Sequence, residues 1–507
     1  MLLFSYGNNQ EITKYMKGND SVRVRYAPSP TGDPHIGNIR TAIFDWFIAR
    51  RLGGDFIVRV EDTDQNRLVE GSIDHQKESL EWLGIDWDEG LGKPGEFGPY
   101  VQSERLHIYH EITDTLIESE NAYQCFCSSD RLKKLRQAQR SIKMDRIGYD
   151  GHCRRLSSDE RAENLDSGRQ YVVRFAMPTE GISLVDDLIR GKVEFENGLV
   201  EDFVILKSDK FPTYHLASVV DDHLMNITHV LRGEEWLSSV PRHIQIYHSL
   251  GWDIPFFAHL PTILAPDRSK LSKRHGATSI MEYKQMGFVP EAMVNFLSLL
   301  GWSYDGETEI VELSDMISRF DISEVNGSGA VFDMEKLTWM NGNYIRQMDS
   351  AHLGDLLYDF WTQYPPREFD REPDRESSRK VASLVSERLK TLTDAAPLVA
   401  FLYSNEIEYS VDQLIQKQMD HSATLAILEE GKYFLKDIQE FSAQNIETEL
   451  RILADKLKLK PRHVLGTIRV ATSGQKISPP LFGSLEVLGK SRTINLIDQA
   501  VNKLQAN

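Results

Sequence analysis

Two short stretches of this chain carry residue types that can do chemistry together. The first is Pro28-Ser29-Pro30-Thr31-Gly32-Asp33-Pro34-His35-Ile36-Gly37-Asn38. It is a turn-rich loop that runs into an apolar-periodic segment. A helix starting there offers unpaired N–H groups and the positive end of its dipole to a phosphate. Gly37 lets a flat ring approach the first turn, and His35 can donate to phosphate oxygens. Taken alone, the loop also reads as a proline-stiffened cap. The second stretch is Lys270-Leu271-Ser272-Lys273-Arg274, after Ala265-Pro266-Asp267-Arg268. A mobile loop carrying Lys273 can close over a triphosphate and neutralise charge that builds up at a transition state. One preorganised group of this kind is worth about 2.7–4 kcal/mol. Alone it is an ordinary basic loop; paired with the first stretch it becomes specific. The first passage has neither a G-x-G-x-x-G nor a P-loop lysine, which counts against dinucleotide and P-loop readings.

The elements that must position these residues are legible. VRVRYA, from Val22, alternates like a short strand. From Ile36 the spacing predicts a helix, with Ile39, Ala42, Ile43, Trp46 and Phe47 on one stripe and Gly53-Gly54 as its stop. Phe56 to Val60 reads as the next strand, ending in Glu61-Asp62-Thr63-Asp64. Such a β-α-β unit predicts an α/β, doubly wound parallel sheet with ligands at the carboxyl ends of its strands.

The rest of the chain divides by character. Residues 1–20 read as a polar leader and 21–115 as the first half of the nucleotide-binding domain. A helical stretch near 103–120 leads to a more β-like one, and 116–210 reads as an insertion. The second half of the domain is expected over 211–265. A region over 266–340 carries the Lys270–Arg274 loop. Text rich in Leu, Glu, Lys and Ala predicts a helical region over 341–507, with YPPREFDREPDRESS (364–378) as a loop within it. No internal repeat is visible.

Composition narrows the function classes. A chain of 507 residues is too long for one core. At 41% apolar and 26% charged it is neither disordered nor fibrous. No apolar run reaches membrane-spanning length, and MLLFSYGNNQ lacks the basic start of a signal peptide. Three cysteines suit a reducing compartment, so a cytoplasmic protein is expected. The net charge of −18 opposes indiscriminate binding to polyanions. Locally the balance reverses between Arg131 and Arg155, where nine Lys or Arg face only Asp145 and Asp150, and again at Lys456, Lys458, Lys460 and Arg462. Such patches are either solvated helix faces or chosen grips on a phosphate backbone. All three cysteines, Cys125, Cys127 and Cys153, fall in the same region, as zinc ligands or as free thiols.

RYAPSPTGDPHIG, VRVEDTD, FPTYHL, VVDDH, HVLRGEEW and KLSKRHG occur in that order. The chain thereby resembles the bacterial glutamyl-tRNA synthetases, in the glutamate/glutamine branch of the class I aminoacyl-tRNA synthetases. The likeness runs from Val22 to LGKSR (488–492). It implies a Rossmann-type catalytic domain, an α+β insertion binding the acceptor stem, a stem-contact region with the KLSKR loop, and an all-α anticodon-binding region. The implied activity is ATP-dependent activation of L-glutamate and its transfer to the 3′ end of tRNA(Glu), with Mg²⁺ on the ATP, by a monomer.

The resemblance also implies roles for residues. Ser29, His35, Gly37, Asn38, Glu235 and Trp236 would meet ATP, together with Lys270, Leu271, Ser272, Lys273 and Arg274; His35 and Lys273 would be catalytic. Arg25, Ala27, Ser29, Glu61, Tyr214, Ser218 and Arg232 would hold glutamate. A planar guanidinium suits a carboxylate better than lysine does, and Glu61 would face the amino group. Arg25 and Arg232 also read as surface ion-pair partners, and Glu61 as a strand-end cap. Asn38 stands where the class motif commonly ends in a second histidine, and Ser218 where one branch has an asparagine. A zinc site in this family would take Cys125, Cys127 and Cys153 with Tyr149, or with His152, as the fourth ligand. Arg388 matches an arginine that tells glutamate anticodons from glutamine ones, and reads equally as a solvated arginine. Four rivals remain: an enzyme that also charges tRNA(Gln), a truncated paralogue that glutamylates a modified tRNA base, against which the long helical region after 340 counts, an inactive tRNA-binding paralogue, and a nucleotidyltransferase on the same fold.

Overall fold

VRVRYA forms a strand over Arg23–Tyr26 (β1). Its alternation suggests one solvated face, yet both faces are buried, the arginines included. They lie inside because they are paired. Arg23 donates to Asp55 at 2.6 Å and to Glu89 at 3.1 Å, and Arg25 to Asp222 at 2.9 Å. An unpaired guanidinium at this depth would be costly. This computed structural model describes residues 21–144 and 147–506. The leader read over 1–20, and Asp145 and Arg146 of the basic window, lie outside the described residues.

The helix α1 spans Ile36–Leu52, capped by His35 at its start and by a left-handed Gly53 (φ 64°) at its end. Its apolar stripe is buried. Gly54 is required for another reason: a Cβ there would stand 2.0 Å from the Val22 carbonyl oxygen. The close approach lets β2 (Asp55–Val58) run parallel to β1. After α2 (Ser72–Trp82), β3 (Glu89–Gly90) pairs parallel with β2 and completes the first half.

The helix α3 (Leu106–Glu118) leads into β4 (Ala122–Cys125). The helices α4 (Ser129–Ser141) and α5 (Ser158–Asp166) precede β5 (Val172–Phe175), which pairs antiparallel with β4. A hairpin of β6 (Ile182–Asp187) and β7 (Gly191–Glu196) follows. Then β8 (Val204–Leu206) returns to β5. The second half supplies α6 (Tyr214–Leu224), β9 (His229–Gly233), α7 (Val240–Leu250) and β10 (Phe256–Leu260). Here β9 and β10 run parallel, and β6 pairs parallel with β10 at Phe257 and Asp187. Part of the stretch between the two halves therefore belongs to the parallel sheet. The Thr228 N–H donates to the Arg23 carbonyl at 2.9 Å, which sets β9 beside β1. One apolar core, including Ile57, Phe175, Val185, Phe203, Leu216, Val230 and Phe257, runs from β2 through α3 and the strands β4 to β10 to the helices α6 and α7. Two short strands, β11 (Ile263–Leu264) and β12 (Ala330–Val331), pair parallel beyond them.

The described chain divides into two compact units. One takes the residues up to Glu282 with Met293–Asp333, the other Tyr283–Ala292 with everything from Met334. The second unit is helical, with no strand among its described residues. Leu353, Trp361, Val381 and Val399 centre one of its apolar clusters, and Ile427, Leu450, Val464 and Ile497 the other. The loop expected over 364–378 ends earlier, because a helix begins at Arg375. Asp374 caps it by accepting from the Ser377 N–H at 2.9 Å.

Two adjacent carboxylates on α6 hold the interior charges. Asp221, fully buried, accepts from Gln102 at 2.9 Å, Arg105 at 2.8 Å and Tyr109 at 2.7 Å. Asp222 accepts from Arg25 and, at 2.8 Å, from the fully buried Arg59, which also reaches Glu61 at 3.1 Å. Removing one member strands buried cations. Asp221→Ala is therefore expected to lose about 3–5 kcal/mol of stability, read as a lower urea midpoint of the first unit's transition. A change below about 1 kcal/mol, the scale of a surface pair, would contradict this arrangement.

Candidate active site

The carboxyl ends of the parallel strands open into a cavity of about 590 Å³. Arg25, Ala27, Ser29, Asn38 and Glu61 line it from the first half, and Tyr214, Arg232, Glu235 and Trp236 from the second. A smaller cavity of about 190 Å³ takes His35, Gly37, Lys270 and Leu271. Asn38, Thr41, Gly233 and Glu235 line both. Two motifs far apart in the chain thus border neighbouring spaces with a common wall.

The charges in the larger cavity are held in different ways. Arg25 places Nε and Nη2 on Asp222 at 2.9 and 3.4 Å, and Nη1 on the Leu231 carbonyl at 3.1 Å. Burial is the largest influence and works against its charge, but the charge and hydrogen bond of Asp222, with the charge of Asp45, together raise its pKa. Arg232 donates through Nε to His259 at 3.0 Å and through Nη1 to Tyr214 at 3.1 Å and His243 at 3.2 Å. Trp236 packs on Tyr214 with ring centroids 4.2 Å apart. Glu61 accepts from Arg59. Burial lifts its carboxyl above the usual range, while Arg59 and then Arg25 pull it back. Two guanidiniums, a carboxylate and a phenol around this volume can hold a small zwitterion with one further carboxylate. Ser218 is not part of the wall. It is buried on α6 with its hydroxyl 3.5 Å from Asp222.

The start of α1, beside the smaller cavity, departs from expectation in one respect. The first N–H groups of α1 are already taken: Ile36 donates to the Thr278 carbonyl at 2.9 Å, Gly37 to His35 Nδ1 at 3.0 Å, and Asn38 to the His35 carbonyl at 2.9 Å. The helix start is satisfied internally, so a phosphate would be met by side chains. Because Nδ1 of His35 accepts, its proton sits on Nε2, which keeps a donor for an anion. Burial, then Lys270 and Lys273, hold this imidazole below the usual histidine range against the pull of Glu235.

Lys273 is exposed and opens a short turn over Lys273–His275, outside the walls of both cavities. Ser272 donates its N–H to His275 Nδ1 at 3.2 Å, and Arg274 reaches the Ser269 hydroxyl at 3.3 Å. Lys270 and Leu271 face the smaller cavity, whereas Ser272, Lys273 and Arg274 shape the loop beside it.

The three cysteines converge. Their sulfurs lie within 4.8 Å of one another, and the Cys127 and Cys153 sulfurs are 3.5 Å apart. Sulfurs around a tetrahedral zinc with bonds of about 2.3 Å would be spaced on this scale. The Tyr149 hydroxyl lies 3.4 Å from Cys125 and 3.8 Å from Cys127. His152 is exposed and outside the group. The hydrogen bond from Cys153 lowers the Cys125 pKa against burial, with help from Tyr149 and Arg174. One ligand thus leans toward thiolate in advance, and the donor set fits zinc.

The basic window separates into two roles. Arg131 pairs with Asp150 at 2.7 Å and Arg154 with Asp202 at 3.1 Å, so these brace the fold. Lys133, Lys134, Arg136 and Arg140 are exposed on α4. In the helical unit Arg388 is exposed, with one N–H on the Ser478 carbonyl at 2.9 Å; Arg469 donates to the Ser478 hydroxyl at 2.7 Å. Sequence reasoning missed Asp222, His243 and His259, which support the cavity from behind, and Lys207, which lines it. VVDDH and FPTYHL did mark α6, but nothing in the spacing of residues 215, 243 and 259 foretells that they meet.

Residues 21–339 match the family described as tRNA synthetases class I (E and Q), catalytic domain, and residues 352–501 match an anticodon binding domain. A protein of Dehalococcoides mccartyi named glutamate–tRNA ligase is 49% identical over 485 residues, covering 96% of this chain and 99% of its own. One of the same name from Moorella thermoacetica is 41% identical over 491 residues, covering 96% and 99%. A crystal structure of a glutamate tRNA ligase from Elizabethkingia meningosepticum, in complex with its amino acid, superposes with a TM-score of 0.82 at 33% identity, covering 96% of this chain and all of that one. With catalytic and anticodon regions both matched and full-length relatives at this identity, the chain belongs to the class I tRNA synthetases of the glutamate and glutamine type.

Proposed function

We propose that this chain is a glutamate–tRNA ligase, which activates L-glutamate with ATP and transfers it to the 3′ end of tRNA(Glu) in protein synthesis. One observation carries the reading: the pocket of Arg25, Glu61, Tyr214 and Arg232 shares a wall with the space beside His35 and Lys270. Glutamate presents two carboxylates and one ammonium. Arg232 and Arg25 suit the carboxylates, and Glu61 suits the ammonium, which would draw its raised pKa back down.

No protein nucleophile is required. An oxygen of the substrate's own α-carboxylate attacks the α-phosphorus of ATP and pyrophosphate leaves. The terminal ribose hydroxyl of tRNA then attacks the acyl carbon and AMP leaves. Mg²⁺ arriving on the triphosphate supplies charge neutralisation when bound. The residues contribute positioning and electrostatics. His35 donates from Nε2 toward the phosphates, Lys270 borders them, and Lys273 swings in with its loop, while Glu235 and Trp236 flank the adenosine. The exposed cations of α4 suit the acceptor stem, and Arg388 suits a base of the anticodon through its remaining N–H groups. We place the enzyme in the cytoplasm as a monomer, a setting that suits its three unpaired thiols.

Charging with labelled glutamate on purified tRNA(Glu) and tRNA(Gln), offered separately, tests the reading. Glutamate on tRNA(Glu) alone is expected. Glutamate on both would mark a non-discriminating enzyme, and charging of neither would defeat the proposal. Lys273→Ala is expected to slow adenylate formation about 10²–10³-fold in single-turnover assays with tRNA binding preserved; unchanged activation would remove its assigned role. We also propose that Cys125, Cys127, Cys153 and Tyr149 hold one zinc that braces the insertion. Purified protein should then carry about one zinc per chain, and Cys125→Ser should lose most of it and lower the melting temperature. Metal-free protein of full stability would exclude the site.

A further inference from the structure

Behind the amino-acid end of the cavity, Arg232 is the middle of a side-chain relay drawn from five elements. Asp187, at the end of β6, lies 2.5 Å from His259 Nδ1 on β10. His259 Nε2 accepts from Arg232 Nε on β9 at 3.0 Å. Arg232 Nη1 donates to His243 Nδ1 on α7 at 3.2 Å, and His243 Nε2 lies 3.1 Å from His215 Nδ1 on α6. Asp187, His243 and His259 are buried.

Donor and acceptor chemistry fixes every proton in this chain. A guanidinium has only donors, so both ring nitrogens facing Arg232 must be bare. His259 therefore carries its proton on Nδ1 and gives it to Asp187. His243 carries its own on Nε2 and gives it to His215, whose proton then sits on Nε2. Burial first, with nearby arginines, keeps all three rings neutral, His215 down to about 3. The count on Arg232 is equally strict. Nε and both Nη1 hydrogens are engaged, leaving Nη2, which has only a 3.5 Å approach to the Trp236 carbonyl.

We infer that His243 and His259, set in their tautomers by His215 and Asp187, are positioning residues that lock Arg232 so that only its Nη2 edge meets the substrate's side-chain carboxylate. This rests on the glutamate reading above. With one donor nitrogen left and the charge of the guanidinium uncompensated by any carboxylate among the described residues, Arg232 favours an anionic carboxylate over a neutral carboxamide at this point, so the lock also sharpens the preference for glutamate over glutamine.

Asp187→Asn tests the relay without changing its volume. Asp187 Oδ1 already accepts from the Ile189 and Arg190 N–H groups at 3.0 and 2.9 Å, so an asparagine would keep its oxygen there and turn its NH₂ toward His259. That forces the proton to Nε2, against Arg232 Nε. In ATP–pyrophosphate exchange with tRNA present, the KM for glutamate should rise about ten-fold or more, with the KM for ATP unchanged and the preference over glutamine reduced by a similar factor. His243→Leu should do the same, and His243→Asn, which restores an acceptor at the Nδ1 position, should recover most of the loss. An unchanged glutamate KM in Asp187→Asn overturns the inference, as does a loss at His243 that asparagine fails to rescue while the KM for ATP rises in step. If Asp187→Asn does not fold, the His243 pair decides alone. A wild-type chain without glutamate-dependent exchange overturns the ligase reading and this inference together; an active wild type with variants equal to it overturns the inference alone.

Discussion

Three arginines, Arg25, Arg59 and Arg105, lie in the interior because two adjacent carboxylates on one helix face them. Desolvating a charge costs several kcal/mol unless it is paired and hydrogen-bonded, so Asp221 and Asp222 decide where these strands can run. Once Asp222 holds Arg25 and Arg59, the end of β1 and the residues after β2 are fixed against α6, and Glu61 is carried into place by Arg59. The cavity wall is therefore made of charges already balanced among themselves. A ligand with its own charges enters an environment that needs little rearrangement, which is where electrostatic binding is strongest.

The start of α1, beside the smaller cavity, is built differently. It spends its free N–H groups on Thr278 and on His35 itself. This ties the first motif to residues just beyond the KLSKR loop, and an isolated bridge between His35 and Ser279 reinforces the tie. The position of that loop is thereby tied to the position of His35. His275 curls the loop through Ser272 and leaves Lys273 exposed.

What could be read from the sequence follows from which interactions are local. The β-α-β unit, its glycine stop and the helical character after 340 are properties of neighbouring residues, and period and capping expose them. The burial of Arg23 and Arg25 was hidden because it depends on partners such as Asp222, nearly two hundred residues away in sequence. For the same reason β6 could not be placed beside β10, since that pairing joins elements separated by two helices and three strands. Motif resemblance brought Arg25, Glu61, Tyr214 and Arg232 to one cavity, yet it also nominated Ser218, which the geometry turns toward Asp222. A motif records a position in the chain; whether a short hydroxyl reaches a cavity depends on the local depth of the helix. The early end of the 364–378 loop was in principle legible, because Asp374 is an ordinary cap, but proline and charge density obscured it.

The contrast between the two cavity arginines explains why histidines serve where carboxylates would be the simpler partner. Arg25 is bound by Asp222, so its positive charge is largely compensated before any ligand arrives. Among the described residues Arg232 makes no ion pair; its guanidinium is held by two imidazoles and a phenol. Neutral acceptors supply direction without cancelling charge. A carboxylate in the place of His243 or His259 would orient the group equally well, but it would compete with any incoming anion for the same cation. The cost of leaving that charge uncompensated indoors is carried by the relay, whose far end, Asp187, places a negative charge one ring away. Asp187 is close enough to stabilise the cation through His259 and too far to occupy it, so the Nη2 end of Arg232 keeps its charge directed for an anion to complete.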